Sequence, residues 1–315
     1  MKKLGLALGA GSVRGLAEIG VLKVFEKENI PVNYIAGTSI GSLIGAMYCS
    51  GITAKELERV ALESHWKDLL DFTLPKEGLL KGNKVEKFIR QNIRNKQFSD
   101  LNIPLSIIST DLNKEKRIIF NRGDVAKAVR ASISAPVFFV PVKFNKMLLV
   151  DGAIVDPIPV DVVKEMGADV ICAVDVTFNI EDISIKIKHQ NKFPETFKEA
   201  FIKEELIMIK DHIKKEYKHL PDFILDFFSV ERVRRLFDKY SHIQALSILK
   251  IYSHALRIAS SQLAKEKLNR DYVDVIIKPS LKETESLDFD KMRYCIKQGE
   301  IAAKKSVKKI KALLI

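Results

Sequence analysis

Residues 37–41 read Gly-Thr-Ser-Ile-Gly, set between an apolar run, "NYIAG" (33–37), and a helix-patterned stretch, "IGSLIGAMYCSG" (40–51). Gly-x-Ser-x-Gly at a strand-to-helix junction is the context of a nucleophile elbow. Gly37 and Gly41 leave room for a sharp turn that presents the Ser39 hydroxyl at the end of the strand. The helix that follows turns its positive end toward any oxyanion that forms there. Such a five-residue match also arises as a plain Ser/Gly turn, so the rest of the chain has to supply the chemistry.

Upstream lies "LGLALGAGSVRGLAEIGVL" (4–22). As a secretion signal its apolar run is too short, because Arg14 and Glu18 interrupt it and cleavage would remove a strand. A phosphate loop would need Gly-Lys-Ser/Thr, and here Gly15 is followed by Leu16 and Ala17. A dinucleotide loop would need a glycine at position 14 and an acid ending the next strand. Arg14 and the Gly37-Thr38-Ser39 sequence stand there instead.

The surrounding pattern is α/β. Strands are expected at 3–8, 33–37, 104–110, 116–120, 146–150, 168–176 and 272–279, and helices through about 28 and at 40–51, 54–65, 83–93 and 124–134. Strands alternating with helices imply a largely parallel sheet covered by helices. From residue 179 to 260 the texture becomes long, charged and helical, with Phe223, Phe227 and Phe228 close together. The chain therefore divides into a core at 1–178, a helical insertion at 179–260, and a returning strand and helices at 261–315. The insertion is expected to act as a lid, a homodimer arm or a membrane arm.

Ser39 needs a base. His65, His189, His212, His219, His242 and His254 lie in or beside helical stretches, away from strand ends. Asp151, directly after the apolar "MLLV" and before Gly152, projects from a strand's carboxyl end, where ligand sites of open α/β sheets collect. It is favoured over Asp111, which follows "SIIST", with Asp156 and Asp175 behind.

Bulk properties narrow the partners. A chain of 315 residues, 47% hydrophobic and 29% charged, is no disordered chain, and no apolar run reaches the roughly 18 residues of a membrane span. Cys49, Cys172 and Cys295 lack metal-like spacing and read as core thiols, which suits a cytoplasmic location. The net charge of +12 is uneven along the chain: after Glu300 there is no acid, while Lys304, Lys305, Lys308, Lys309 and Lys311 interleave with Ile301, Val307, Ile310 and Leu314. Such a tail either lies at an anionic inner-membrane surface or docks its apolar stripe on the body. No nucleic-acid motif is present.

Taken in order, "LGLALGAGSVRGLAEIGVL", "IAGTSIGSLIGAMY", "RASISAPVFFVPV" and "LLVDGAIVDPIPVDVVKEMGADVICAVDV" resemble the patatin-like phospholipases. The resemblance covers about residues 3–178. It implies a three-layer αβα sandwich and a lipid or acyl-ester hydrolase with a Ser-Asp dyad, without histidine, metal or other cofactor. It places the nucleophile at Ser39 and the base at Asp151 of "DGA". The family's glycine-rich oxyanion segment falls on Ala10–Gly15, so Gly11, Ser12 and Arg14 would serve the oxyanion hole, with Gly9, Gly15, Gly37, Gly41 and Gly152 as supporting positions. Ala10 and Ser12 stand where the pattern has glycine, and small residues substitute there provided φ stays negative. Arg14 would either brace the loop or meet an anionic group of the substrate. The contrasting expectation is a catalytically weak regulator that binds a partner through the insertion.

Overall fold

The computed structural model describes residues 2–64, 66–73, 77–178, 245–282, 284–285 and 288–315. The expected insertion therefore lies outside the described residues, apart from the helix that leaves it. That helix runs continuously through residues 260 and 261.

In chain order the elements are β1 (Leu4–Leu8), α1 (Ala17–Lys27), β2 (Tyr34–Thr38), α2 (Ile40–Cys49), α3 (Ala54–Glu63), α4 (Asn83–Asn92), β3 (Leu105–Asp111), β4 (Lys116–Phe120) and α5 (Val125–Ser132). They continue as β5 (Val142–Phe144), β6 (Met147–Asp151), α6 (Val160–Glu165), β7 (Val170–Val174), α7 (Ala245–Arg270), β8 (Val275–Ile277) and α8 (Met292–Leu314). The strand–helix alternation read from sequence recurs, with β5 and α6 added.

The strands form one sheet in the order β5-β6-β3-β2-β1-β7-β8, with β4 also paired to β3. Strands β3, β2, β1, β7 and β8 run parallel, whereas β4, β5 and β6 run antiparallel to their neighbours. Alternating side chains feed two cores. Leu4, Leu6 and Leu8 of β1, Ile35 of β2 and Ile107 of β3 pack in the core shared with α1, α2, α5 and α8. On the other face Ala7, Ala36, Ile108, Ile171 and Ala173 pack with α6 and with Ala264 of α7. Small residues on that second face let the helices approach closely. A methyl at Gly5 would stand 2.0 Å from Val163. The result is the three-layer αβα sandwich.

The basic tail docks on the body. As α8 it buries Cys295, Ile296, Gly299, Ala303, Ile310 and Leu314, while Ile301 remains exposed. It crosses α1 at two glycines: a Cβ on Gly20 would lie 2.0 Å from the Ile296 carbonyl oxygen, and one on Gly299 would lie 1.8 Å from that of Ala17.

Candidate active site

The sheet brings Ser39 and Asp151 together through one strand. Strand β3 pairs β4 along residues 107–111, pairs β2 at 105–108 and pairs β6 at 109–111. A residue can face one partner on each edge, so β2 and β6 both occupy the edge opposite β4. They meet end to end there, Thr38 opposite Ile108 and Asp151 opposite Ser109. A parallel and an antiparallel strand thus point their carboxyl ends at one another. Ser39 leaves one and Asp151 closes the other.

Ser39 Oγ donates to Asp151 Oδ2 at 2.6 Å. Ser39 sits at φ 55°, ψ −121°, a conformation that costs a non-glycine residue about 1–3 kcal/mol. The neighbouring glycines supply space rather than a left-handed φ. A Cβ on Gly37 would stand 2.5 Å from the Gly41 carbonyl, and one on Gly41 would stand 2.5 Å from that of Leu8. The Ser39 amide donates to Ser132 Oγ (2.9 Å), and its carbonyl accepts from the Ser42 and Leu43 amides of α2. The strained turn is therefore held at both ends.

Asp151 is 6% exposed. Its amide donates to the Ser134 carbonyl, its own carbonyl accepts from the Thr110 hydroxyl, and its Oδ1 accepts from the Ala153 amide at 2.8 Å. Burial raises its pKa to about 6, and the bonds from Ser39 and Ala153 offset part of that rise. Gly152 packs against β3, where a Cβ would lie 2.5 Å from the Ile108 carbonyl.

The other carboxylates are engaged elsewhere. Asp111 Oδ1 accepts from the Asn113 and Leu148 amides. Asp175 binds the Thr177 amide and hydroxyl and pairs with Lys278 at 2.9 Å. Asp156 pairs with Arg117 and Lys267. Of the histidines, His254 is described and lies on α7 beside Arg257; the other five fall outside the described residues.

The segment Gly9–Gly15 runs from β1 into a short 3-10 turn, Ser12–Leu16, ahead of α1. Its start is fixed by the Ala10 amide on the Pro157 carbonyl and its turn by the Arg14 amide on the Gly11 carbonyl. Gly9 and Gly11 lie against β7, where added methyls would stand 2.9 Å from the Val174 carbonyl and 2.8 Å from Val176, and one on Gly15 would strike Ile40 at 2.2 Å. Ser12 is exposed and adopts φ 52°. The condition of a negative φ is not met at this position: serine here takes the left-handed conformation that favours glycine.

Arg14 is a brace. Its buried guanidinium donates to the carbonyls of Val176 (3.0 Å), Thr177 (2.9 Å), Leu281 (2.6 Å) and Thr284 (3.1 Å), and stacks 4.2 Å over the Phe178 ring. Burial lowers its pKa to about 10. With its donors committed to main-chain carbonyls, it ties the glycine segment to the end of β7 and to the loop after β8. Of the two roles expected for Arg14, bracing the loop is the one these contacts show.

Sequence reasoning missed Ser132, Ser134, Thr38 and Thr110, whose groups hold the site without touching the reacting atoms. Ser132 and Ser134 lie in the "RASISAP" block, and their alternation at a helix end was the available signal.

A three-layer α/β sandwich whose serine elbow closes on a buried carboxylate defines the class of protein. The patatin-like phospholipase family model matches residues 6–164, and the chain belongs to that family. It is 34% identical over 187 residues to "Lysophospholipase NTE1" of Phaeosphaeria nodorum, covering 58% of this chain and 12% of that protein. It is 33% identical over 181 residues to "Patatin-like phospholipase domain-containing protein 6" of Homo sapiens, covering 55% of this chain and 13% of that one. The chain therefore spans about an eighth of the length of these relatives. The crystal structure of VipD from Legionella pneumophila aligns with a TM-score of 0.44 at 13% identity, over 98% of this chain and 67% of that one.

Proposed function

We propose that this protein is a serine lipid acyl hydrolase of the phospholipase A or lysophospholipase type, with Ser39 as nucleophile and Asp151 as general base. The observation that carries this reading is the 2.6 Å bond from Ser39 Oγ to a buried carboxylate at a strained elbow. The relatives' names agree with a lipid ester as substrate.

Ser39 Oγ attacks the acyl carbonyl carbon while its proton passes to Asp151 Oδ2. The carbonyl oxygen takes up negative charge toward the Gly11 and Ser12 amides. Collapse of the tetrahedral intermediate breaks the bond to the alcohol, and Asp151 returns the proton to the departing oxygen. Water then attacks the acyl-serine, giving one proton to Asp151. The fatty acid leaves, and that proton goes back to Ser39. A base whose pKa is about 6 suits this work, since it is ionised at neutral pH yet basic enough to accept the proton.

The protein is to be treated with a fluorophosphonate and the adduct mapped. Labelling at Ser39 is expected, absent in Ser39→Ala and slowed by on the order of a hundredfold or more in Asp151→Asn. A folded protein left unlabelled at Ser39, with and without liposomes or detergent, would sink this reading. Anionic phospholipid vesicles, lysophospholipid micelles and short-chain esters then rank the substrate class.

A further inference from the structure

Helix α7 is the first described element after residue 178, and it packs against residues that flank the site. Residues 257, 260, 264 and 267 follow 3-4-3 spacing and form one stripe of the helix. Ala264 at the middle of this stripe is 1% exposed, packed in the second core.

Three residues of the stripe make polar contacts toward the site. Lys267 Nζ, 6% exposed, lies 2.5 Å from Asp156 Oδ1 and 2.5 Å from Asp161 Oδ1. Ser260 Oγ donates to the Ala153 carbonyl at 3.0 Å. The Arg257 guanidinium stacks 4.4 Å over the Phe178 ring that also receives Arg14.

Two of these contacts lead one step further to the dyad, and the third leads to the glycine segment. Asp156, 1% exposed, strides between its two members: its amide donates to the Gly152 carbonyl (2.8 Å), beside Asp151, and its carbonyl accepts from the Thr38 hydroxyl (2.8 Å), beside Ser39. Ala153 is the residue whose amide holds Asp151 Oδ1. Phe178 backs the arginine that braces the glycine segment. Asp156 is buried and paired with Lys267 and Arg117, and removal of one partner from a buried ion pair is strongly destabilising.

We infer that Lys267 and Ser260 of α7 are positioning residues for the Ser39–Asp151 pair, acting through Asp156 and Ala153. This rests on the dyad reading above. Arg117 Nη1 also holds Asp156 and Asp161, at 2.6 and 2.7 Å, so loss of Lys267 does not strip Asp156 of all its partners.

Lys267→Met, Lys267→Arg and Ser260→Ala are compared with wild type for fluorophosphonate labelling of Ser39, ester turnover against pH, and thermal melting. Lys267→Met is expected to lower kcat by about tenfold or more with little change in KM, as misplacement of reacting groups does. Its acid limb should move up by about half a pH unit or more, because a shift of Asp156 displaces the Gly152–Asp156 turn and weakens the bond from the Ala153 amide to Asp151. Lys267→Arg should restore most of both. Ser260→Ala changes no charge, so a smaller shift of the limb in the same direction separates positioning from simple electrostatics. It also decides the matter if Lys267→Met fails to fold.

Folded variants with wild-type kcat and an unmoved limb would overturn the inference, as would loss of activity only in proportion to loss of fold. Failure of the dyad reading looks different. A wild-type protein unlabelled at Ser39 overturns both proposals, whereas normal labelling of wild type and variants alike overturns this one alone.

Discussion

At the scale of the residue, two serines carry backbone strain that glycine would have avoided: Ser39 at φ 55° and Ser12 at φ 52°. For Ser39 the cost is matched by hydrogen bonds on both sides of the turn, and the hydroxyl is aimed at Asp151. The pH dependence follows from that carboxylate. In the proposed mechanism it works ionised, and its folded pKa is about 6, above the ordinary value of 3.8, because burial opposes its charge. Turnover is therefore expected to fall as pH drops through about 6 with a one-proton slope, read from kcat/KM against pH. A flat profile between pH 5 and 8 would contradict the assignment. Glu18 gives a second prediction. It is fully buried on α1, neither carboxyl oxygen makes a sound hydrogen bond, and burial outweighs the weak pull of the Gly9 amide to raise its pKa well above 4.5. The folded chain thus holds a proton that the unfolded chain has lost above about pH 4.5, and stability declines by about 1.4 kcal/mol per pH unit while the two states differ. Glu18→Gln should remove that decline, raising the denaturant midpoint at pH 8 and leaving it nearly unchanged at pH 4.

At the scale of the element, close approach decides more than propensity. Helices α1 and α8 cross where Gly20 and Gly299 leave no room for a methyl. In an exposed helix Gly→Ala stabilises by roughly 0.5–1 kcal/mol. Here Gly20→Ala should destabilise by about 1–3 kcal/mol, since the helices must separate or shift. The sign of the change in guanidinium unfolding distinguishes the two cases. Capping residues are a local signal: Thr53 and Glu56 close the start of α3 with a reciprocal box, and Asp124 accepts from the Lys127 amide at the start of α5. The strand β5, three residues long and partly exposed, left no such mark. The antiparallel course of β6 was equally hidden, because an apolar run has the same pattern whichever way it travels.

At the scale of the whole molecule, the placement of charge differs from what the tail's composition invites. Helix α8 begins beside the glycine segment and ends where the Lys2 amide meets the Leu314 carbonyl. Lys309 reaches the Asp274 carbonyl just before β8, and Lys311 reaches Glu28 at the end of α1. These contacts lie at the edge where the parallel strands start, and the dyad lies at the edge where β2 ends. With most of its apolar stripe spent on the body, the tail offers a surface mainly charge, and it would turn the dyad away from that surface. Reversal of Lys304, Lys305 and Lys308 to Glu is accordingly expected to leave hydrolysis of anionic phospholipid vesicles at about 0.1 M salt within about twofold of wild type, since exposed charges farther apart than a Debye length of about 10 Å are largely screened. A vesicle-specific loss, with monomeric ester turnover intact, would show that the tail delivers the enzyme to lipid after all.

The sequence by itself determined the alternation of strands and helices, the elbow at Ser39 and the preference for Asp151 as its partner. Those are statements about local pattern, and short-range sterics and hydrophobic period suffice to make them. Left open were the choice between Asp151 and Asp111 on geometry, the role of Arg14 and the fate of the tail. The tertiary structure decided these, because each depends on which distant groups share one place. Strand β3 sets the ends of β2 and β6 on consecutive rungs, the carbonyls of Val176, Thr177, Leu281 and Thr284 surround one guanidinium, and two glycines 279 residues apart in number let one helix lie against another. Hydrogen bonding and close packing act over a few ångströms in space and are indifferent to separation along the chain, so only the folded arrangement could fix them.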